Sequence, residues 1–427
     1  MRMRSDKENL DKYMPKYANE KFKPSCGVRV LFFLLLSGPP KFRLRDPSAS
    51  LDVTVDVVIM MQILVWVVAG CWVLWNIDKW SIGKEPEKSR FTALELMSGI
   101  LFALLTLSVL FSEAPALSAF KVYQLVVTFS FVTLFVKKFG VFELLNNLFI
   151  GCGVLALADI LAAATMPDLV FVESELGLMR FRGDLIAQTG IISVIGLFLL
   201  LTIKSDLPTS RVVFWAVVLG SVLVSSLSRT SYMAVLFVLA LAALRRPSIP
   251  VLRHVVTLVL LILPLAFGVL LDALNSRRAV EDIWTLSDRL GLWAYLVEAT
   301  ITRGPWLGLG YFAASRVYAP EYNPGLGTAH SAFMEVYVGG GIISLVVFLC
   351  IWLVLATKVT RLYLHRPDRT GFAIVSLFWA ALFLNAVGGE LQADPAGCCF
   401  WSVVAALPLV PLPCSRRAPS QDASATG

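Results

Sequence analysis

Apolar runs recur from residue 28 to residue 410, interrupted by short polar or basic connections and by one long, more polar stretch between 275 and 331. The runs at 91–111, 141–165, 185–203 and 255–271 carry few charges, and they meet or approach the roughly 20 helical residues needed to cross a hydrocarbon core about 30 Å thick. A helix satisfies its own backbone within one such segment, which the lipid interior demands. Further runs lie at 51–75, 119–136, 212–227, 232–244, 332–356, 371–387 and 397–410, with a shorter one at 28–37. Together they predict an all-α polytopic membrane protein of about 12 transmembrane helices. Segment 28–37 is short because Pro39 and Pro40 stop it, and it is retained because the orientation then closes.

The pattern also divides the chain. Residues 1–27 form a polar N-terminal tail, 28–274 the first part of a bundle, 275–331 a loop, 332–410 the rest of the bundle, and 411–427 a tail rich in Ser, Ala and Pro whose composition predicts disorder. Lys and Arg fall mainly on alternate connections, with about twice as many on the set that includes both tails, so both termini are expected to be cytoplasmic. That topology accounts for the net charge of +7 without a nucleic-acid partner. The lysine-bearing tail does not read as a cleavable signal sequence.

On the outer connections every basic residue except Lys41 is an arginine, among them Arg229, Arg289, Arg303 and Arg316. Arginine binds phosphate oxygens in pairs through a planar fork, whereas lysine acts as a point charge. The seven cysteines show no CxxC pair or His-linked metal spacing and read as packing residues.

The 275–331 loop carries the densest candidate chemistry. Ser287 is placed to cap a helix whose Leu290, Trp293, Leu296, Val297 and Ile301 share one face, with Arg289 in its first turn and Arg303-Gly304-Pro305 ending it. Such a helix is expected to lie on the membrane with its apolar side down. Gly308-Leu309-Gly310 follows, then Thr328-Ala329-His330-Ser331 opens the next span. His330 near a helix start sits where free N–H groups favour an anion, although a solvated loop histidine fits the same pattern.

Ser228-Arg229-Thr230-Ser231 joins two spans with almost no loop. A charge at full membrane depth costs roughly 2.5 to 3.5 kcal/mol, so Arg229 reads as functional or as half of an ion pair with Asp159 or Asp184. Asp282, Asp288, Glu298 and Glu321 read chiefly as solubility and capping residues. Mid-span ionisable residues are few (Asp56, Glu95, Asp159), and no repeat relates the two halves. Both facts weigh against a lipid-linked oligosaccharide flippase.

Ser228-Arg229-Thr230-Ser231, Arg289 with Trp293 four residues on, Gly308-Leu309-Gly310, His330 and Gly339-Gly340-Gly341-Ile342-Ile343 stand in an order that resembles the O-antigen ligase and polysaccharide polymerase superfamily. Within it the chain most resembles the ExoQ-type exopolysaccharide polymerases. The resemblance implies a GT-C-like glycosyltransferase architecture with a partly helical periplasmic loop, in the inner membrane of a bacterium. It implies an undecaprenyl (polyprenyl) diphosphate-linked oligosaccharide as donor, and another glycan as acceptor, or lipid A core in the ligases. Other polysaccharide-export proteins are possible partners.

Arg229 and Arg289 match the diphosphate-binding arginines of that superfamily and His330 its catalytic histidine. Ser331 departs from the Asn that many members carry there. Guanidinium groups would stabilise the departing diphosphate without a metal or other cofactor, and neutral His330 would take the acceptor's proton from the opposite side, giving inversion. No P-loop, HExxH or nucleophile elbow offers a rival chemistry. Polymer extension and ligation to lipid A core share donor and leaving group, and the pattern separates them only weakly.

Overall fold

The computed structural model describes residues 23–37, 57–77, 92–173, 179–181, 189–204, 207–226, 228–245, 289–323, 327–365, 368–387, 391 and 394–410. Helices dominate: α1 (Cys26–Ser37), α2 (Val57–Trp75), α3 (Ala93–Ser108, prolonged by a 3-10 turn, Val109–Phe111), α4 (Pro115–Phe139), α5 (Val141–Thr165) and the single turn α6 (Pro167–Val170). A short antiparallel hairpin follows, β1 (Phe171–Glu173) with β2 (Met179–Phe181), Val172 opposite Arg180. Then come α7 (Thr189–Thr202), α8 (Thr209–Ser225), α9 (Arg229–Arg245), α10 (Arg289–Arg303), α11 (Ala313–Tyr322), α12 (Ala332–Leu364), α13 (Arg369–Val387) and α14 (Pro395–Ala406).

Among the described residues five helices are long and apolar enough to cross a membrane: Ala93–Phe111, Pro115–Phe139, Val141–Thr165, Ala332–Leu364 and Arg369–Ala386, accompanied by six shorter apolar helices. A multi-pass membrane protein therefore holds, and the expectation of about 12 full spans does not follow from helix length, since α1 with its 12 residues reaches only about 18 Å. The expected span at 255–271 lies outside the described residues. So do residues 1–22 and 411–427, Ser287, Asp56, Asp184, Asp282 and Asp288.

The centre of the bundle is α14. Asp394 caps it by accepting the Gly397 N–H at 2.5 Å, Pro395 opens it, and every residue from Pro395 to Ala406 is buried. Small side chains let α4 and α13 approach it, while Trp401 packs edge-on against Phe129 at 5.3 Å between ring centres and donates its indole N–H to the Leu391 carbonyl at 3.0 Å. Buried Cys152, Cys398 and Cys399 serve packing, whereas Cys26, Cys71 and Cys350 are exposed on apolar helices. Outward-facing Met60, Leu64, Val346 and Leu353 give the bundle an apolar exterior suited to lipid.

Connections gather at two ends of the bundle. At one end Lys137 pairs with Glu95 at 2.6 Å and Lys138 donates to Asn76 at 3.1 Å. Glu95 is not a mid-span charge, as the sequence suggested. It sits in the first turn of α3 in a capping box with Thr92. At the other end the α3–α4 turn meets the segment after α10, where the Tyr311 N–H donates to the Ser108 hydroxyl at 3.3 Å.

Candidate functional site

Helices α10 and α11 with the turn before α12 form a cap that has its own small core of Leu292, Leu296, Leu309, Ala314, Tyr318, Ala319, Ala329 and Val338. Helix α10 turns to the protein a side adjacent to the stripe that spacing predicts. Leu292, Leu296 and Thr300 are buried against the protein, while Leu290 and Ile301 stand 46% and 56% exposed. Helices α11 and α12 cover Leu292 and Leu296, while Leu290 and Ile301 of the stripe read from spacing stay on the outside. Helix α11, which tolerates Pro320 inside it, is a second element that the sequence did not announce.

The two glycine clusters prove to be one structure. Helix α12 breaks at Gly341, whose φ of 71° and ψ of −174° lie outside the helical region. A continuous helix would bond the Ile342 N–H to the Val338 carbonyl. Here Ile342 donates to the Pro305 carbonyl at 2.9 Å instead, and the freed Val338 and Gly339 carbonyls accept from Leu309 at 2.9 Å and Gly310 at 3.0 Å. Broken helices survive within a membrane protein when a neighbouring segment satisfies the released backbone groups in this way. At Gly308, φ is +72° and a Cβ would collide with the Gly339 and Gly340 backbone, so the 305–310 segment is held against α12 main chain to main chain.

The turn bearing His330 is gripped from three helices. Trp293, one turn after Arg289 on α10, donates its indole N–H to the Ala329 carbonyl at 2.8 Å. The Ala329 N–H donates to Glu335 Oε1 at 3.0 Å, and the Ser315 hydroxyl of α11 lies 2.8 Å from both oxygens of that carboxylate, which is 1% exposed. His330 itself is half-buried with φ of 51°, a left-handed backbone that costs on the order of 1–3 kcal/mol outside glycine and concentrates at functional sites. Ser331 is the N-cap of α12 but makes no capping bond.

Arg289 opens α10 and is half-buried. Arg289 stands one turn before Trp293, on the same helix face, and the Trp293 indole reaches the residue that precedes His330. Arg229 opens α9, which packs on α13 and α7. Its side chain is not among those described, so its approach to the other two stays an expectation. The junction around it is compact: the Ser231 hydroxyl donates to the Ser228 hydroxyl at 2.9 Å, and the bare Gly190 of α7 admits Ser226, Ser228 and Ser231. Asp159, named from sequence as a conceivable partner, is buried on α5 at 1% exposure.

The remaining charged residues of the cap separate into roles. Arg303 donates to the Tyr318 hydroxyl at 2.7 Å and lies 3.4 Å from Glu113, to which the Tyr318 hydroxyl also donates. Burial first, and the Glu113 bond second, push the Tyr318 hydroxyl above its usual range, and the bond to Tyr318 raises Arg303. The Tyr295 hydroxyl donates to Glu321 at 2.6 Å, which raises its pKa. Glu321 is thus a tie between α10 and α11 as well as a solubilising charge. Glu335 and Ser315 escaped the sequence reading: an acid in the first turn of a helix reads as a dipole complement, and nothing local signals that it holds Ala329.

A multi-pass helical bundle with a folded cap at one end is the class these features define. Residues 213–349 match the family described as O-antigen ligase. The matched stretch runs from α8 into α12, less than half of the chain, and contains Arg229, Arg289, His330 and both glycine clusters. It supports the O-antigen ligase and polymerase superfamily, and with it an enzyme of the ligase and polymerase kind. No curated protein matches the chain.

Proposed function

We propose that this protein is a membrane glycosyltransferase that polymerises exopolysaccharide repeat units, using a polyprenyl diphosphate-linked oligosaccharide as donor at the periplasmic face of the inner membrane. The observation that carries the reading is the 2.8 Å bond from Trp293 to Ala329, which sets the Arg289 helix beside the His330 turn. Arg289, joined by Arg229, holds the diphosphate, and their guanidinium forks offset its charge as the bond from the anomeric carbon to the carrier oxygen breaks. His330 takes the proton of the acceptor hydroxyl while that oxygen bonds to the anomeric carbon from the opposite side, so the configuration inverts. The released carrier keeps its diphosphate, and the arginines supply the positive charge that this requires without a metal.

In this reading the 275–331 loop is the catalytic unit, and both termini are cytoplasmic. Ligation to lipid A core is the second reading, favoured by the description of the matched family. Reconstitution with a polyprenyl diphosphate oligosaccharide tests both. Lengthened glycan on the carrier, with inverted linkages and no inhibition by chelator, is the expected product. Transfer only to added lipid A core selects the ligase, and vesicle-to-vesicle movement of intact donor without new linkages overturns both in favour of a flippase.

A further inference from the structure

The outward side of α10 divides into two edges. At helical spacing Leu290, Val297 and Ile301 line one of them, and Tyr295, Glu298 and Thr302 line the other. On the polar edge Tyr295 is tied to Glu321. On the apolar edge Ile301 is exposed, and Trp306, just past the end of the helix, stands 66% exposed. Large apolar side chains left uncovered together on one side of a folded unit mark a surface that something else contacts.

That edge joins the apolar exterior of the bundle. A Cβ at Gly341 would collide with the Trp306 carbonyl, and the Pro305 carbonyl accepts the Ile342 N–H at 2.9 Å, so the segment after α10 lies against the break in α12. From the break an exposed apolar stripe runs along α12 through Ile343, Val346 and Leu353. Gly310 has no room for a Cβ beside Ser112, and just before Ser112 the exposed stripe of α3 ends at Leu107 and Leu110, the latter 77% exposed.

Helix length sets the depth of this junction. From Ile342 to Arg361 the part of α12 beyond the break rises about 29 Å, close to the roughly 30 Å of hydrocarbon that a span must cross. With the exposed Arg361 at one headgroup layer, Ile342 and the Trp306 segment held against it stand at the other. Tryptophan is enriched at that level because its ring is apolar and its N–H is polar.

We infer that Ile301 and Trp306, with Leu110 of α3, form a docking edge by which the cap rests in the headgroup and upper acyl layer of the bilayer that holds the bundle. The occupant is phospholipid: the edge is apolar, continues the lipid-facing stripes of two helices, and lies one hydrocarbon thickness from Arg361. Docking of this kind keeps the cap, and with it the His330 turn, at the bilayer surface. It goes beyond the transferase reading and does not depend on which reaction the cap performs.

The test is photo-crosslinking of the full chain in nanodiscs of phosphatidylethanolamine and phosphatidylglycerol, with p-benzoylphenylalanine in place of Trp306, Leu110 or, as the polar-edge control, Thr302. Phospholipid adducts at positions 306 and 110 are expected to exceed those at 302 by about tenfold or more, the population ratio that one large apolar side chain leaving water sustains. Equal yields at all three positions, or no lipid adduct at 306, overturn the docking edge. An adduct at 306 to a second copy of the chain also overturns it, in favour of contact between copies. A second measurement needs only a conservative change. The fluorescence lost on Trp306→Phe should be the part of wild-type emission most quenched by phospholipid brominated near the glycerol end of its acyl chains, and a Trp306 contribution that this lipid leaves unquenched contradicts the inference even where a crosslinking form fails to fold. Neither readout involves glycan transfer, so failure of the docking edge and failure of the transferase reading are scored apart.

Discussion

At one end of the bundle Lys137 meets Glu95 at 2.6 Å, Lys138 meets Asn76 at 3.1 Å and Lys204 meets Asn146 at 2.5 Å, each a contact between separate parts of the bundle. At the other end Arg303 spans a tyrosine and a glutamate, Arg316 lies on a phenylalanine, and Arg289 stands at the head of a helix tied to the histidine turn. A lysine is satisfied by one oxygen as a point charge, whereas an arginine has five donors, and stacking on a ring uses none of them. The lysine contacts therefore tie parts of the bundle together, and Arg303 ties the cap to the α3–α4 turn. In the proposed orientation the lysine end faces the cytoplasm, as positive-inside topology expects, and the proposed diphosphate ligand would favour arginine at the other end.

The comparison breaks most visibly where the arginine end depends on backbone. Gly308→Ala places a Cβ into the Gly339 and Gly340 main chain at a positive φ, a strain of about 3 kcal/mol or more. The expected outcome is loss of folded protein from detergent extracts. His330→Ala should insert normally and lower transfer by roughly 10²- to 10⁴-fold, the range of general acid–base catalysis, as measured by single-turnover glycan transfer. Arg289→Ala should cost on the order of 10²-fold, and Arg289→Lys should recover little of it because the fork is gone. Glu335→Gln, which weakens the hold on Ala329, should lower kcat by about tenfold with KM nearly unchanged. Lys137→Gln, at the lysine end, should leave transfer unchanged and lower stability by up to about 1 kcal/mol, read from thermal unfolding.

The two glycine clusters were legible because the motifs are short and local, while the roles of Arg289 and His330 came from the resemblance and remain proposals. Their assembly was not. That Gly308 packs on Gly339 depends on a helix break that no propensity at Ile342 announces, and that Glu335 reaches back to Ala329 depends on the angle at which α12 leaves the cap. The side of α10 that packs on the cap, Leu292 and Leu296 with Thr300, was not singled out because periodicity tells which residues are apolar and not which surface covers them. Arg303 and Arg316 resemble Arg289 in sequence, and only their partners in space separate a structural tie from a candidate ligand-binding cation.

The most direct test is a double-mutant cycle on reconstituted transfer with Arg289→Ala, His330→Ala and both together. Residues acting as one centre are strongly non-additive, so the double variant should be no slower than about the slower single variant. Losses that multiply in full, as they do for independent sites, would contradict a shared centre of Arg289 and His330.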